Sequence, residues 1–318
     1  MKTVIVVATS IVAFFLLVSL AGGYYMFRFA VVRKRGEHGY WDCEIPKKRH
    51  IPDELYEQMK LGKKFIKAKN PEKVTIKSPD GLKLTARIAE NPTGRGMFIM
   101  VHGYRSCGLY DFSCVLKQVY DKGFSLMIID QRAHGDSEGK YIGFGVLERY
   151  DVVRWCEYVK ERYPTLPVVL DGVSMGASTV MMGCGVGYPD NVRALICDCG
   201  YTTPGAVCRR TLKRWFKLPP FPIYYVAKMF VRIFAGYSLD SVNSAKELLC
   251  DKLPMLMAHG KKDTFVPYSM GIEIFSSLAG RYDCEFFTSE EAEHGMSYVM
   301  DTDGYMEAME RLFEKAGI

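Results

Sequence analysis

The chain has 318 residues, of which 48% are hydrophobic and 25% are charged. That length suits one large α/β domain with appendages, and it provides ample residues for a buried core. The 42 basic residues exceed the 36 acidic ones only slightly, so the net charge of +6 fits a solvated surface of mixed sign rather than a nucleic-acid-binding protein.

A nearly uncharged apolar run extends from Thr3 to Phe27. At about 1.5 Å rise per residue, a helix of this length crosses a bilayer core. We expect an uncleaved membrane anchor, because the run continues through an aromatic cluster at residues 24–27 that suits the membrane interface. A cleavable signal peptide is the alternative, since Ser19-Leu20-Ala21 resembles a cleavage site with small residues.

Basic residues close this run and continue beyond it. By the positive-inside rule they place the following domain on the cytoplasmic side, but the rule has little force for a large domain and Lys2 opposes it, so the extracellular side stays open. We expect an anchor with its basic flank over residues 1–36, then a lysine-rich linker over residues 37–73 with an approach helix at Asp53–Ile66. The basic residues are Arg28, Arg33, Lys34 and Arg35 after the anchor, and Lys47, Lys48 and Arg49 in the linker.

From Val74 onward the sequence has the pattern of a sheet. Apolar residues alternate on both sides of a Pro79-Asp80-Gly81 turn, which predicts an antiparallel hairpin ending near Ile88. Short continuous apolar runs then recur between helical stretches, as parallel strands buried on both faces require. Residues 74–318 therefore predict an α/β fold with a mostly parallel sheet, an antiparallel start and helices on both faces. The expected later strands are Met97–Val101, Leu126–Ile129, Val168–Leu170, Ala194–Cys197, Met255–Ala258 and Cys284–Thr288.

The run Val168–Leu170 leads into Gly172-Val173-Ser174-Met175-Gly176, a GxSxG pentapeptide followed by small and apolar residues. Strand, sharp turn and helix in this order are what a nucleophile elbow requires, with Ser174 at its apex. The glycines have a steric reason, because a serine in a strained turn leaves no room for a Cβ two residues away. Asp171 directly before the elbow is unexpected, since a buried carboxylate is costly unless it is paired.

Further motifs fall at the predicted carboxyl ends of other strands, where active sites of open α/β sheets lie. In His102-Gly103-Tyr104, the glycine allows a sharp turn that can direct the Tyr104 N–H toward the same point as the Met175 N–H, giving two donors for an oxyanion. Asp263 stands where a carboxylate can orient a histidine, and His294 lies downstream of both Ser174 and Asp263.

Two other groups of residues have a structural interpretation. The charged loop Asp130–Gly139 could be mistaken for a second catalytic centre, but we expect Asp130 and Arg132 to brace the loops around the site. The ten cysteines form no paired CxxC framework, and Cys197 and Cys199 are too little for a metal site. We expect most cysteines to be small buried residues in a reducing compartment or an anaerobe, rather than disulfides.

The chain order Ser, Asp, His, together with GxSxG and the His-Gly step, resembles the α/β-hydrolase superfamily over about Val74–Phe313. It is most similar to membrane-associated bacterial serine hydrolases of the lysophospholipase and serine aminopeptidase group, whose DQRxHGxSxG loop Asp130–Gly139 matches. Neither a metal nor an organic cofactor is needed for their chemistry. The resemblance implies Ser174 as nucleophile, His294 as general base and then acid, Asp263 as its orienting acid, and Tyr104 and Met175 as oxyanion donors.

An insertion over residues 201–252 separates two of the expected strands. It carries a basic aromatic segment, Arg209–Lys217, and then an apolar one, Ile223–Phe234. In the superfamily this position holds a cap, so the resemblance implies that the insertion shapes the substrate pocket, and the two segments suit a cap facing the bilayer. The alternative is a cap that packs on its own domain while small esters enter from water.

The sequence thus predicts a membrane-anchored serine hydrolase that cleaves a carboxylic ester, with acyl lipids among the candidate substrates. An aminopeptidase-like amide hydrolase is one alternative, although a site for a free amino terminus is not identifiable. A non-catalytic hydrolase-like binding module is the other. The oligomeric state is left open.

Overall fold

The structure is a computed structural model, and it describes residues 1–34, 41, 45, 47, 51–281 and 283–318. Three of the basic residues singled out in the sequence, Arg35, Lys48 and Arg49, lie outside the described residues.

A sheet of eight strands forms the centre of the described chain. The strands are β1 (Glu72–Lys77), β2 (Lys83–Ala89), β3 (Gly96–Val101), β4 (Phe124–Asp130), β5 (Val168–Val173), β6 (Val192–Asp198), β7 (Met255–Gly260) and β8 (Cys284–Ser289). They lie in the order β1-β2-β4-β3-β5-β6-β7-β8, antiparallel from β1 to β4 and parallel from there to β8. The expected runs all lie within these strands, and the predicted α/β fold is confirmed.

Helices cover both faces of this sheet. In the described chain they are α1 (Lys2–Val31), α2 (Asp53–Ala68), α3 (Gly108–Asp111), α4 (Leu116–Asp121), α5 (Glu148–Arg162), α6 (Met175–Gly183), α7 (Pro204–Trp215), α8 (Ile223–Phe230), α9 (Ser244–Glu247), α10 (Tyr268–Ser276), α11 (Ser297–Met300) and α12 (Thr302–Ala316). One buried cluster joins the sheet to α5, α6, α9 and α10, and a second joins its other face to α2, α3, α4 and α12. This two-sided burial explains why the central strands are apolar throughout.

The approach helix α2 is longer and better packed than a surface helix. It runs to Ala68 rather than to Ile66, and Leu55, Met59 and Ile66 are buried. A Cβ added at Gly62 would overlap the backbone carbonyl of Ser113, so the helix lies directly against the chain that follows α3. The linker therefore ends in an element that belongs to the catalytic core.

The helix α1 spans 30 residues and is long and apolar enough to cross a membrane. Its side chains are exposed over most of the first 21 residues, whereas Gly23, Phe27 and Val31 are buried. The buried residues recur every three to four positions, which places them on one face of the helix. That face packs against α8 and the residues that follow it.

The insertion between β6 and β7 is helical, as a cap would be. It contains α7, α8, a π-helical turn at Val231–Ala235 and α9. Thr203 caps α7 by accepting a hydrogen bond from the Ala206 N–H, and Pro204 occupies the first helical position, where a missing N–H costs nothing. Residues of the insertion and of α1 line one cavity together with Ser174, which directly follows β5.

Candidate active site

Ser174 occupies the sharp turn between β5 and α6. Its backbone has φ 57° and ψ −114°, a conformation that L-residues rarely adopt. A Cβ at Gly176 would overlap the Val101 carbonyl oxygen, and one at Gly172 would lie 2.6 Å from the Ala177 nitrogen. Both glycines of the pentapeptide are therefore required by the close approach of neighbouring backbone.

The structure brings Ser174, His294 and Asp263 into one hydrogen-bonded chain. His294 Nδ1 lies 2.6 Å from Asp263 Oδ2, and His294 Nε2 lies 2.8 Å from Ser174 Oγ. With Asp263 ionised, Nδ1 carries the hydrogen and donates to the carboxylate, which leaves Nε2 to accept the hydrogen of the serine hydroxyl. This is the geometry that activates a serine for attack.

Asp263 is held in its ionised form by several donors. Its Oδ1 accepts hydrogen bonds from the Phe265 and Val266 N–H groups at 2.8 and 2.9 Å. Burial alone would raise the pKa of Asp263, but hydrogen bonds from His259 and His294 outweigh it and lower this pKa to about 2. A charged carboxylate therefore faces His294 at neutral pH.

His259 is a second histidine on the same carboxylate, and its contact with Asp263 was not predicted from the sequence. Its Nε2 lies 3.3 Å from Asp263 Oδ2 and 3.0 Å from the Val266 carbonyl oxygen, and its side chain is buried. Burial lowers the pKa of His259, but the contacts with Asp263 and Val266 raise this pKa by more than burial lowers it, so the net shift is upward. His259 and His294 thus contact the same oxygen of the Asp263 carboxylate.

The loop after β3 lies directly against Ser174. A Cβ added at Gly103 would stand 3.4 Å from the Ser174 Cβ, so Tyr104 begins next to the elbow, while Met175 opens α6 on its other side. Asp111 fixes the turn, because its carboxylate accepts the Gly103 N–H at 2.7 Å and the Ser106 hydroxyl at 2.6 Å. Asp111 was missed in the sequence, since a carboxylate eight residues away carries no motif.

The charged loop at residues 130–139 braces its surroundings, as expected. The Arg132 guanidinium lies between Asp151 and Asp80, with Nε 2.6 Å from Asp151 Oδ2 and Nη1 2.9 Å from Asp80 Oδ2. Asp130 accepts the Asp136 N–H at 2.9 Å. Burial, followed by the charge of His102, keeps the pKa of His134 well below its usual range, so the ring is neutral and its Nε2 accepts the Arg105 N–H at 3.1 Å.

Two buried carboxylates lie behind the site. Burial, with the charge of Asp198 as a second cause, raises the pKa of Asp171 to about 8. The neighbour that contributes to this shift is therefore another acid, and the shift favours the protonated form of Asp171 at neutral pH. Asp198 accepts a hydrogen bond from the Ser297 hydroxyl at 2.9 Å, and burial raises its pKa as well.

In the described chain, Cys199 stands close enough to Asp263 and His294 for the three to share a metal ion, with candidate ligand atoms within 4.8 Å of one another. Both ring nitrogens of His294 are already engaged, with Asp263 and with Ser174. Burial raises the pKa of the Cys199 thiol well above its usual range, whereas a metal ligand must be a thiolate. The donor set fits the hydrogen-bonded triad better than a metal. Most other described cysteines are also buried, and all are free.

A cavity of about 180 Å³ opens at Ser174. Tyr104, Tyr201 and Phe265 line it from the catalytic domain, and side chains of α7, α8 and α1 line the rest. Among the described residues of its lining, Arg105 is the charged one and none is acidic. The arrangement can bind an apolar group next to a serine that is poised for attack.

Comparison with known proteins agrees with this fold. The family model of serine aminopeptidases, S33, matches residues 92–235. The Bacillus subtilis protein YqkD is 25% identical over 195 residues, which cover 61% of this chain and 63% of that protein's length. The lysophosphatidylserine lipase ABHD12 of Danio rerio is 24% identical over 168 residues, or 49% of this chain and 40% of that lipase.

Solved structures show the same architecture. The Pyrococcus furiosus esterase Pf2001 superposes with a TM-score of 0.64 at 21% identity, covering 78% of this chain and 93% of the esterase. Est1E from Butyrivibrio proteoclasticus, solved with ferulic acid bound, gives a TM-score of 0.61 at 18% identity and covers 77% of this chain and all of that one. The chain therefore has the α/β-hydrolase fold.

Proposed function

We propose that the protein is a serine hydrolase that cleaves carboxylic esters through an acyl-enzyme. The observation that carries this proposal is the unbroken chain of hydrogen bonds from Ser174 through His294 to Asp263. A serine hydroxyl is a poor nucleophile at neutral pH, and a base within hydrogen-bond reach removes that limitation.

In the first half-reaction, Ser174 Oγ attacks the ester carbonyl carbon while His294 Nε2 takes the hydroxyl proton. The N–H groups of Tyr104 and Met175 donate to the resulting oxyanion, and the start of α6 adds its positive dipole end. Asp263 stabilises the imidazolium that forms. Collapse of the intermediate breaks the C–O bond to the alcohol, which leaves with the proton of His294.

In the second half-reaction, water attacks the acyl carbon and gives its proton to His294 Nε2. The tetrahedral intermediate then breaks its bond to Ser174 Oγ, and His294 returns the proton to that oxygen. The carboxylic acid leaves, and the site regains its starting state without a cofactor taking part.

The cavity favours an ester over the amino terminus of a peptide. A site for an ammonium group needs an acidic side chain, whereas the described lining of the cavity holds Arg105 and otherwise uncharged groups. A non-catalytic binding module is also disfavoured, because binding alone gives no reason for a strained Ser174 hydrogen-bonded to a histidine.

Labelling with a fluorophosphonate tests the nucleophile. We expect the full chain to be labelled once, because the probe needs an activated serine, and Ser174→Ala to remove the label. Ser241→Ala, a substitution of an exposed serine in the insertion, is the matched control and should label as the wild type does. Persistent labelling of Ser174→Ala would refute the assignment.

We further propose that α1 remains attached as a membrane anchor, with the catalytic domain on the cytoplasmic side. The length and apolar character of α1 support the span, and Arg28 in its last turn and Lys34 just after it support the sidedness. Intact mass of the membrane-bound protein distinguishes an uncleaved chain from one beginning near Gly22, and protease accessibility in right-side-out vesicles reports the side.

A further inference from the structure

The last two turns of α1 line the cavity that holds Ser174. Met26, Ala30 and Val31 line it together with Leu212 of α7 and Ala227 of α8. A helix whose only task was to tether the domain would have no reason to reach the nucleophile. The end of α1 is therefore part of the substrate site as well as part of the candidate membrane span.

This part of α1 is packed as tightly as a protein core. A Cβ added at Gly23 would overlap the Val226 side chain, so the two helices approach closely at this glycine. Phe27 is 3% exposed, and its ring centroid lies 5.6 Å from that of Phe234 and 5.9 Å from that of Tyr141. Such packing holds the wall of the cavity in one position.

Hydrogen bonds join the same turns to the loop beside the nucleophile. The Tyr104 hydroxyl donates to the Ala30 carbonyl oxygen at 2.8 Å, and Arg105 Nη2 donates to the Phe29 and Val32 carbonyl oxygens at 2.9 and 2.8 Å. Carbonyl groups at a helix end otherwise lack partners. Since Tyr104 is also the candidate oxyanion donor, these hydrogen bonds connect the end of α1 to the candidate reaction centre.

The mouth of the cavity lies on an apolar surface. Phe29 and Trp215 both line the cavity and are exposed, by 42% and 59%, so they mark its rim. Around them the outer face of α8 and the following turn exposes Tyr225 and Ile233 by 56% and 62%. This surface adjoins α1, since the Tyr24 and Phe230 rings lie 5.3 Å apart.

We propose that Met26–Val31 form one wall of an acyl-chain site, and that the substrate is an ester whose apolar chain enters from the bilayer between Phe29 and Trp215. This inference rests on the proposed function, because it takes Ser174 as the reacting group. A chain that leaves the bilayer for this cavity exchanges one apolar environment for another and keeps its ester group beside Ser174.

A chain-length series with the full protein in lipid nanodiscs tests this wall. Ala30→Phe fills the cavity from α1, and Ala13→Phe makes the same change on the exposed part of the same helix. We expect the kcat/KM ratio of p-nitrophenyl dodecanoate to p-nitrophenyl acetate to fall at least tenfold for Ala30→Phe and less than twofold for Ala13→Phe. Met26→Ala, which enlarges the cavity, should raise the ratio.

Equal losses on both esters, or an unchanged ratio in both cavity variants, would overturn the proposed wall. A second experiment does not depend on catalysis. Ser174→Ala protein is irradiated with a dodecanoyl ester that carries a diazirine at the end of the chain, and the modified residues are mapped by mass spectrometry.

We expect cross-links within Met26–Val31 and α7, and cross-links confined to residues 3–20 would contradict the proposal. If the fluorophosphonate fails to label wild-type Ser174 while these cross-links persist, the proposed function is wrong and the chain site stands. If Ser174 is labelled but Met26–Val31 are never cross-linked, the proposed function stands and the proposed chain site is wrong.

Discussion

Asp263 is the residue on which two histidines depend. Its Oδ2 lies 2.6 Å from His294 Nδ1 and 3.3 Å from His259 Nε2, and its side chain has no exposed surface. Asp263→Asn should keep the fold but favour the wrong tautomer of His294, because the amide can donate to Nδ1. By analogy with serine proteases, we expect kcat to fall by a factor of about 10⁴.

Steady-state kinetics on a chromogenic ester, with the melting temperature as a check on folding, measure this effect. Glu293→Gln is the control, since Glu293 is exposed although it adjoins His294 in sequence, and its kcat should stay close to that of the wild type. Nearly full activity of Asp263→Asn would mean that another acid orients His294. Asp198 would then be the first candidate, because it is a buried carboxylate behind the same site.

Asp171 makes a separate prediction about stability. Its folded-state pKa of about 8 exceeds the ordinary value of 3.8, so between these values the folded protein keeps a proton that the unfolded chain has lost. The free energy of unfolding must therefore fall as pH rises from about 4 to about 8 and level off above that.

Asp171→Asn removes this dependence, because an amide does not ionise and has a similar volume. We expect the variant to be more stable than the wild type at pH 7.5, by at most about 5 kcal/mol, because the folded-state pKa of Asp171 lies well above 3.8 and a pKa difference of one unit corresponds to about 1.36 kcal/mol. Thermal unfolding in detergent between pH 5 and 8.5 measures the difference. An advantage of the variant that shrinks as pH rises would show that Asp171 is ionised in the folded state.

At the scale of single residues, the sequence shows which side chains are candidates for catalysis, but it does not show which of them lie in contact in the fold. Ser174, Asp263 and His294 were identified from motifs and chain order, and the structure places them within hydrogen-bond reach. Their catalytic roles stay predictions. His259 and Asp111 were missed because each acts by a contact that the fold creates, and an isolated histidine or aspartate has no pattern around it.

Among the secondary-structure elements, the strands were the most predictable, because a strand buried on both faces is a short continuous apolar run. The packing of the insertion helices was less predictable, because their apolar residues face three different surroundings: the sheet, α1 and solvent. The basic residues of α7 show what the sequence could not predict, namely which of them form ion pairs and which face solvent. Arg209 pairs with Asp240 at 2.9 Å, and Lys213 and Arg214 are exposed.

The difference between the paired Arg209 and the exposed Lys213 and Arg214 makes the prediction of a cap that faces the bilayer more specific. Trp215 is 59% exposed, next to Lys213 and Arg214, so brominated acyl chains should quench its fluorescence when the full protein is placed in nanodiscs. Trp215→Phe identifies its share of the signal. Because basic residues near an anionic surface gain about 1 kcal/mol each, quenching should increase with anionic lipid and weaken with salt.

Lys213→Ala with Arg214→Ala should reduce the gain from anionic lipid, whereas Lys117→Ala with Lys160→Ala, two exposed lysines on helices that cover the sheet, should not. Quenching that is absent in every lipid would indicate that the insertion packs only on its own domain. Small soluble esters would then be the substrates that remain.

For the whole molecule, the main feature that the sequence did not predict is that α1 lines the cavity at Ser174. A run of apolar residues at the start of the chain looks the same whether its side chains face lipid or protein, because both surroundings are apolar. The predicted boundary at residue 36 stays a prediction, but the buried cluster that includes Phe27 and Val31 extends into the insertion.

The position of α1 bears directly on how the protein can be prepared. A water-soluble fragment beginning near Trp41 would uncover Ala227 and Phe230, which lie against Gly23 and Tyr24 of α1, and would leave the cavity open along one side. Such a fragment would tend to aggregate through the uncovered surface. An inhibitor selected on it would be fitted to an open groove, whereas the full chain presents Met26, Ala30 and Val31 as a wall of the cavity at the same place.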